Sequence, residues 1–93
     1  FEDSKIGINE VMKLKPKLFR MKTENENSDK HLGFIAQEVK EIIPQAYLEE
    51  GEDDNKFIGL QDRPIIAALT KAIQELKADN DILKSEIEIL KNK

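Results

Sequence analysis

Asp62-Arg63-Pro64-Ile65-Ile66-Ala67-Ala68-Leu69-Thr70-Lys71-Ala72-Ile73-Gln74-Glu75-Leu76-Lys77-Ala78-Asp79-Asn80-Asp81-Ile82-Leu83-Lys84-Ser85-Glu86-Ile87-Glu88-Ile89-Leu90-Lys91 is the stretch that decides the fold. Alternating steps of three and four residues select Ile66, Leu69, Ile73, Leu76, Asn80, Leu83, Ile87 and Leu90, a heptad repeat in which every a position but Asn80 is Ile and every d position is Leu. A helix buried within its own domain carries a wider stripe that drifts with the 3.6-residue period. The narrow seam therefore predicts a partner helix.

The charges beside the seam agree. Asp79 and Glu86 fall at g, Lys84 and Lys91 at the e positions five residues on, so opposite signs meet across the interface of a parallel coil. Asn80 stands alone at a buried a position, where symmetry-related amides satisfy one another and fix the register against antiparallel pairing. Folding back onto the same chain is the competing arrangement. It would need a receiving surface along about 37 Å of seam, at 1.5 Å per residue, and the rest of the chain is poor in apolar residues. Ile at a, Leu at d and a single Asn at a are the choices expected of a parallel dimer. By itself, the helix predicts two strands.

Working outward, Pro64 suits the first turn of this helix and Asp62 is its expected N-cap. The chain then divides into a small body, residues 1–62, and a helix, residues 63–93, that form one folding unit. About sixty residues make a marginal body. Of all 93 residues, 39% are hydrophobic and 37% charged, with four Phe and one Tyr, so much of the burial is expected from neighbouring chains.

Within the body, Ile8, Val11, Met12 and Leu14 predict a short helix that Lys15-Pro16 closes. Leu18-Phe19-Arg20-Met21 reads as a strand that runs into a polar loop, Thr23 to Asp29, and His31-Leu32-Gly33-Phe34-Ile35 reads as its hairpin partner. Ala36, Val39, Ile42 and Ile43 mark one face of a second helix, stopped by Pro44. Ala46-Tyr47-Leu48 and Lys56-Phe57-Ile58-Gly59-Leu60 predict a second hairpin across an acidic turn, Glu49 to Asn55, that carries Gly51. The fold class is α+β: short helices and β-hairpins followed by a long C-terminal helix.

Composition excludes several functions. The net charge is −4 and the lysines are interspersed with acids, which argues against nucleic acid, because phosphate binding needs clustered Lys and Arg. With no Cys and one His, there is no thiolate or His-rich metal site, and the spacing of the acidic turn does not fit a calcium loop. No glycine-rich phosphate loop is present, and no cofactor or metal is expected. No apolar run approaches the roughly twenty residues that span a bilayer, so no membrane partner is expected and the module reads as soluble. Phe1-Glu2-Asp3 lacks an initiator Met and reads as cut from something longer.

At Gly33-Phe34-Ile35-Ala36-Gln37-Glu38-Val39, with Ile43-Pro44 behind it and Ala72-Ile73-Gln74-Glu75-Leu76 further on, the sequence resembles the C-terminal intramolecular chaperone domain of phage tailspikes, fibres and endosialidases. Lys15-Pro16-Lys17-Leu18-Phe19 is similar to a lysine-Pro-aromatic segment of that family, and the order of pieces matches along nearly the whole chain. The resemblance implies a homotrimer that assists folding and trimerisation of a preceding β-rich fibre or spike in the host cytoplasm. It also implies release by one self-cleavage, which leaves the module absent from the mature virion. Set beside this block, the seam reads as the zipper of a trimer, with Asn80 a register pin that three chains share.

The family cleavage uses a serine nucleophile and a lysine base in a pattern resembling Ser-Asp-x-x-x-Lys. That pattern is absent from these 93 residues. Ser4-Lys5 are adjacent and Asp3 precedes the serine, so their side chains diverge, and the dyad is expected upstream of Phe1. His31 matches a family position that often carries His and supports the cleavage site; a surface histidine at a strand end is the equal alternative. Gln37 and Glu38 could likewise serve as catalytic helpers, but an exposed pair at a helix start, the acid complementing the helix dipole, is the favoured reading, and Gly33 reads as a bulge or a close approach. The rival function is a permanent, passive oligomerisation module. A protease acting on other substrates is disfavoured, since neither a nucleophile–base pair nor a glycine-rich oxyanion turn is present.

Overall fold

The computed structural model describes residues 1–20, 27, 29–52 and 56–93. Its elements are α1 (Ile8–Val11), β1 (Lys17–Phe19), β2 (His31–Gly33), α2 (Ala36–Ile42), a 3-10 turn (Pro44–Ala46), β3 (Tyr47–Glu50), β4 (Phe57–Leu60) and α3 (Asp62–Lys91). The architecture is α+β, with two antiparallel hairpins and one long helix. Residues 23–26 and 28 of the expected polar loop, the Met21 end of the first strand and residues 53–55 of the acidic turn lie outside the described residues.

Helix α1 is shorter than its apolar pattern predicts. Val11 and Met12 donate to the carbonyls of Gly7 and Ile8 at 3.0 and 2.9 Å, but Lys13 and Leu14 donate one residue nearer, to Glu10 and Val11. The tightening to 3-10 geometry turns the chain towards Pro16, which holds Lys15 out of the helical region. In the first hairpin Lys17 faces Gly33, Leu18 faces Leu32 and Phe19 faces His31. In the second, Tyr47 faces Leu60 and Glu50 faces Phe57, and Gly51 takes φ 93° after β3, a left-handed geometry that favours glycine.

Pro44 does stop α2, yet it also opens the 3-10 turn, with Pro at the first positions where its missing N–H is harmless. Ala46, expected in a strand, is instead the last residue of that turn and is fully buried. Its carbonyl accepts the N–H of Gln61 at 2.8 Å, which ties the turn to the start of α3. The N-cap of α3 is Gln61, in extended conformation, and not Asp62. The helix starts one residue early, so Asp62 becomes an acid of the first turn, where it still complements the positive helix end. Pro64 is the third helical residue, still among the four whose N–H has no partner inside the helix.

The core lies where α2 and the 3-10 turn meet the first half of α3. Val39, Ile43, Ala46, Ile65 and Ala68 form its buried cluster, with Ile6, Val11, Leu14, Phe34, Ile42 and Leu60 packed around it. Alanines at 46, 68 and 72 leave room for the backbones to approach closely. Among the described residues, nothing in α3 beyond Ala72 is buried. Among the described residues, no helix is long and apolar enough to cross a membrane.

Candidate functional site

Two faces of α3 are used differently. Ile65, Ala68 and Ala72, all no more than 6% exposed, turn towards the body. The heptad seam lies beside them and faces outward along its whole length: Ile66, Leu69, Ile73, Leu76, Leu83, Ile87 and Leu90 are each 41–66% exposed, and Asn80 is exposed in the same row. Alternating three- and four-residue spacing keeps these eight positions on one narrow strip, which winds by about 20° per heptad around a regular helix. The structure gathers the predicted interface residues on one open strip and places none of them in the core of their own chain.

The charges follow the same division. Lys77 donates to both carboxylate oxygens of Asp81, at 2.6 and 2.8 Å, one turn along the exposed surface. Among the described residues, Asp79, Lys84, Glu86 and Lys91 make no ion pair within their own chain. These are the four charges whose positions suit partners on a parallel neighbour. Ile82 and Ile89, 58% and 60% exposed, stand seven residues apart on the flank that seats the body nearer the N-terminus; the heptad count passes over them because they fall at neither a nor d.

The Gly33 to Val39 block joins β2 to α2. Gly33 faces Lys17 across the hairpin, and a Cβ there would sit 3.2 Å from Cε1 of Phe19. A close approach, not a bulge, accounts for the glycine. Phe34 is half-buried and Ile35, in extended conformation, is the N-cap of α2. Ala36 opens the helix, Gln37 is exposed and Val39 enters the core. Glu38, expected to be exposed, is only partly so; it lies in the first turn, where an acid suits the dipole, but its Oε2 is sealed from solvent without a hydrogen-bond partner. It borders a groove of about 460 Å³ between the α1–β1 connection and α2, lined by Met12, Leu14, Phe34, Ile35 and Ile42 among others.

His31 is exposed at the start of β2, its ring tilted 46° against Phe19 with centroids 5.9 Å apart. Ser4 is engaged locally: its hydroxyl donates to the carbonyl of Ile6 and accepts the Ile6 N–H, both at 3.1 Å. Among the described residues, no three His, Cys, Asp or Glu gather as a metal site. At the second hairpin, Glu49 pairs with Lys56 and accepts the Tyr47 hydroxyl at 2.9 Å. Hydrogen bonds from Lys56 and then Tyr47 hold the Glu49 carboxyl below the usual carboxylate range, and the bond to Glu49 raises Lys56.

A family model described as the chaperone of endosialidase matches residues 2–48 of the 93. The chain belongs to the chaperone-of-endosialidase family. The family match runs from the segment before α1 through both strands of the first hairpin, α2 and the 3-10 turn to Leu48 in β3. It is narrower than the near-complete resemblance read from the order of pieces, because it ends before β4 and α3. No curated protein and no solved structure matches the chain. The chaperone-of-endosialidase assignment thus rests on the body, whereas the reading of α3 rests on its own heptads and exposure.

Proposed function

We propose that this chain is an intramolecular chaperone that brings three copies of a preceding phage fibre, tailspike or appendage chain into parallel alignment and is then released by autoproteolysis. The observation that carries the reading is the division of α3: one face holds the body, while an Ile/Leu seam broken only by Asn80 remains open. A seam of this kind is stabilised when like helices close on it. Interwoven β-rich trimers have high contact order, and holding three chain ends together raises their effective concentration before strand pairing begins. Removal of the module after assembly makes the product kinetically stable, since it cannot return along its folding path. Assembly of this kind takes place in the host cytoplasm, with no nucleic acid, membrane or cofactor involved.

In this reading the serine nucleophile and lysine base belong to the chain ahead of Phe1. Ser4 is a poor nucleophile where it stands, because both hydrogen-bonding functions of its hydroxyl are spent on the Ile6 backbone and a serine needs an adjacent base. That same observation favours, as a second reading, a module that stays attached as a passive oligomerisation tag. Mass spectrometry of the intact parent distinguishes them. Loss of a tail of this size, abolished when an upstream Ser is changed to Ala, is the expected result; a parent that keeps its tail through assembly supports the passive tag.

A further inference from the structure

We propose that Glu75 is a positioning residue through which closure of the α3 seam tightens the N-terminal segment, an inference that rests on the assembly reading above. Glu75 Oε1 accepts the N–H of Ile8 at 3.2 Å, a contact across 67 residues of sequence. Glu10 reaches back to take the N–H of Gly7 at 2.8 Å. Two carboxylates thus satisfy two donors at the start of α1, a helix of four residues that is too short to persist unaided. Gly7 is required for the approach: a Cβ there would lie 1.8 Å from Glu75 Oε1 and 2.8 Å from Cγ of Lys71. Ahead of it, Asp3 and Ser4 share a shallow groove with Ala67, Thr70, Lys71 and Gln74 of α3. The stretch from Asp3 to Ile8 is therefore laid along the long helix and fastened at Glu75.

The fastening point stands at the edge of what the body supports. Ala72 is the last buried residue of α3 and Glu75 the last half-buried one, so Glu75 occupies the last turn that the body touches, and the helix beyond it is exposed. An exposed helix is marginal on propensity alone and frays towards its supported end. The seam residues Ile73 and Leu76 flank Glu75 in sequence but lie on the outward strip, so neighbouring helices that cover them hold this turn without displacing the carboxylate. Closing the seam keeps the Glu75 turn helical, and that presents the acceptor to Ile8. Opening it lets the Glu75 turn fray and weakens its hold on Ile8, while Ile6 and Val11 keep their packing on the core. Assembly is in this way read out at the end of the module that leads to the preceding chain.

Amide exchange of residues 2–11, followed by mass spectrometry while sedimentation records association on the same samples, tests the linkage. The wild-type chain is expected to exchange roughly tenfold more slowly at Ile8 once associated, the effect of one hydrogen bond to a charged acceptor. Glu75→Ala is expected to associate normally and exchange fast throughout, and Glu75→Gln, which keeps an acceptor oxygen, to recover most of the protection. The pair Leu83→Ala with Ile87→Ala, which touches no residue of the segment, is expected to block association and to speed exchange at residues 2–11. Equal protection in associated and dissociated wild-type chain, or full protection in Glu75→Ala, overturns the linkage alone. A wild-type chain that never associates overturns the assembly reading and the linkage with it.

Discussion

Single atoms decide several positions. At Gly33, a methyl group would meet the Phe19 ring at 3.2 Å, tighter than ordinary van der Waals contact, so the ring must give way. Gly33→Ala is expected to lower stability by about 1 kcal/mol, at the lower end of overpacking costs, measurable as a fall in the urea midpoint with unchanged slope. Asn80 belongs to the opposite category: among the described residues its amide makes no hydrogen bond within its own chain, and it is costly to bury without symmetry mates. Replacing Asn80 by Leu is expected to raise the melting temperature of the assembly while broadening it into species of more than one size in sedimentation. Gly33 was legible as a backbone requirement because glycine in a strand has few other reasons. Glu75 was not legible, since nothing near it in sequence announces a contact with Ile8.

At the scale of elements, α3 is the part whose face and chemistry periodicity could reveal, because a heptad is a local pattern that needs no knowledge of the rest of the fold. Truncating Leu76 and Leu83 to Ala is expected to dissociate the chains, each change removing a d residue that a closed seam would bury, worth roughly 2–5 kcal/mol; size-exclusion chromatography with light scattering reads the change in mass. The hairpins and α2 were legible from alternation and from Pro44, but the 3-10 turn was hidden, because Ala46 beside Tyr47-Leu48 reads as the start of a strand. The early end of α1 was hidden too, as the switch to nearer carbonyls leaves no mark in the apolar spacing. In the second hairpin, Glu49 with its carboxyl held low contributes stability that is present above the unfolded carboxylate range and lost as pH falls through its lowered folded value. Lys56, raised by the same bond, contributes below its unfolded value and loses that contribution as pH rises through the higher folded one. The Tyr47–Glu50 amides are therefore expected to show NMR titration steps at both the acid and the alkaline end, both flattened in Lys56→Met and weakened by salt.

The whole molecule is extended, with a radius of gyration of 18.9 Å and extents of 67 × 39 × 16 Å, where a compact chain of this length has a radius near 12 Å. A slab 16 Å thick has little interior, in keeping with a core confined to the junction of α2, the 3-10 turn and the first turns of α3. The open seam, the outward Leu18 and Leu32 of the first hairpin and the Phe57 and Ile58 of the second are surfaces that a lone chain leaves wet. Composition alone pointed this way, through a low apolar fraction in a body of about sixty residues, but the number of chains is not written in local pattern: Ile at a and Leu at d suit two strands, and the family resemblance implies three. The mass of the species that α3 closes is thus the most direct test. Sedimentation equilibrium of this chain at micromolar concentration is predicted to give three times the chain mass; a monomer would contradict the assembly account outright, and a dimer would contradict its trimeric form.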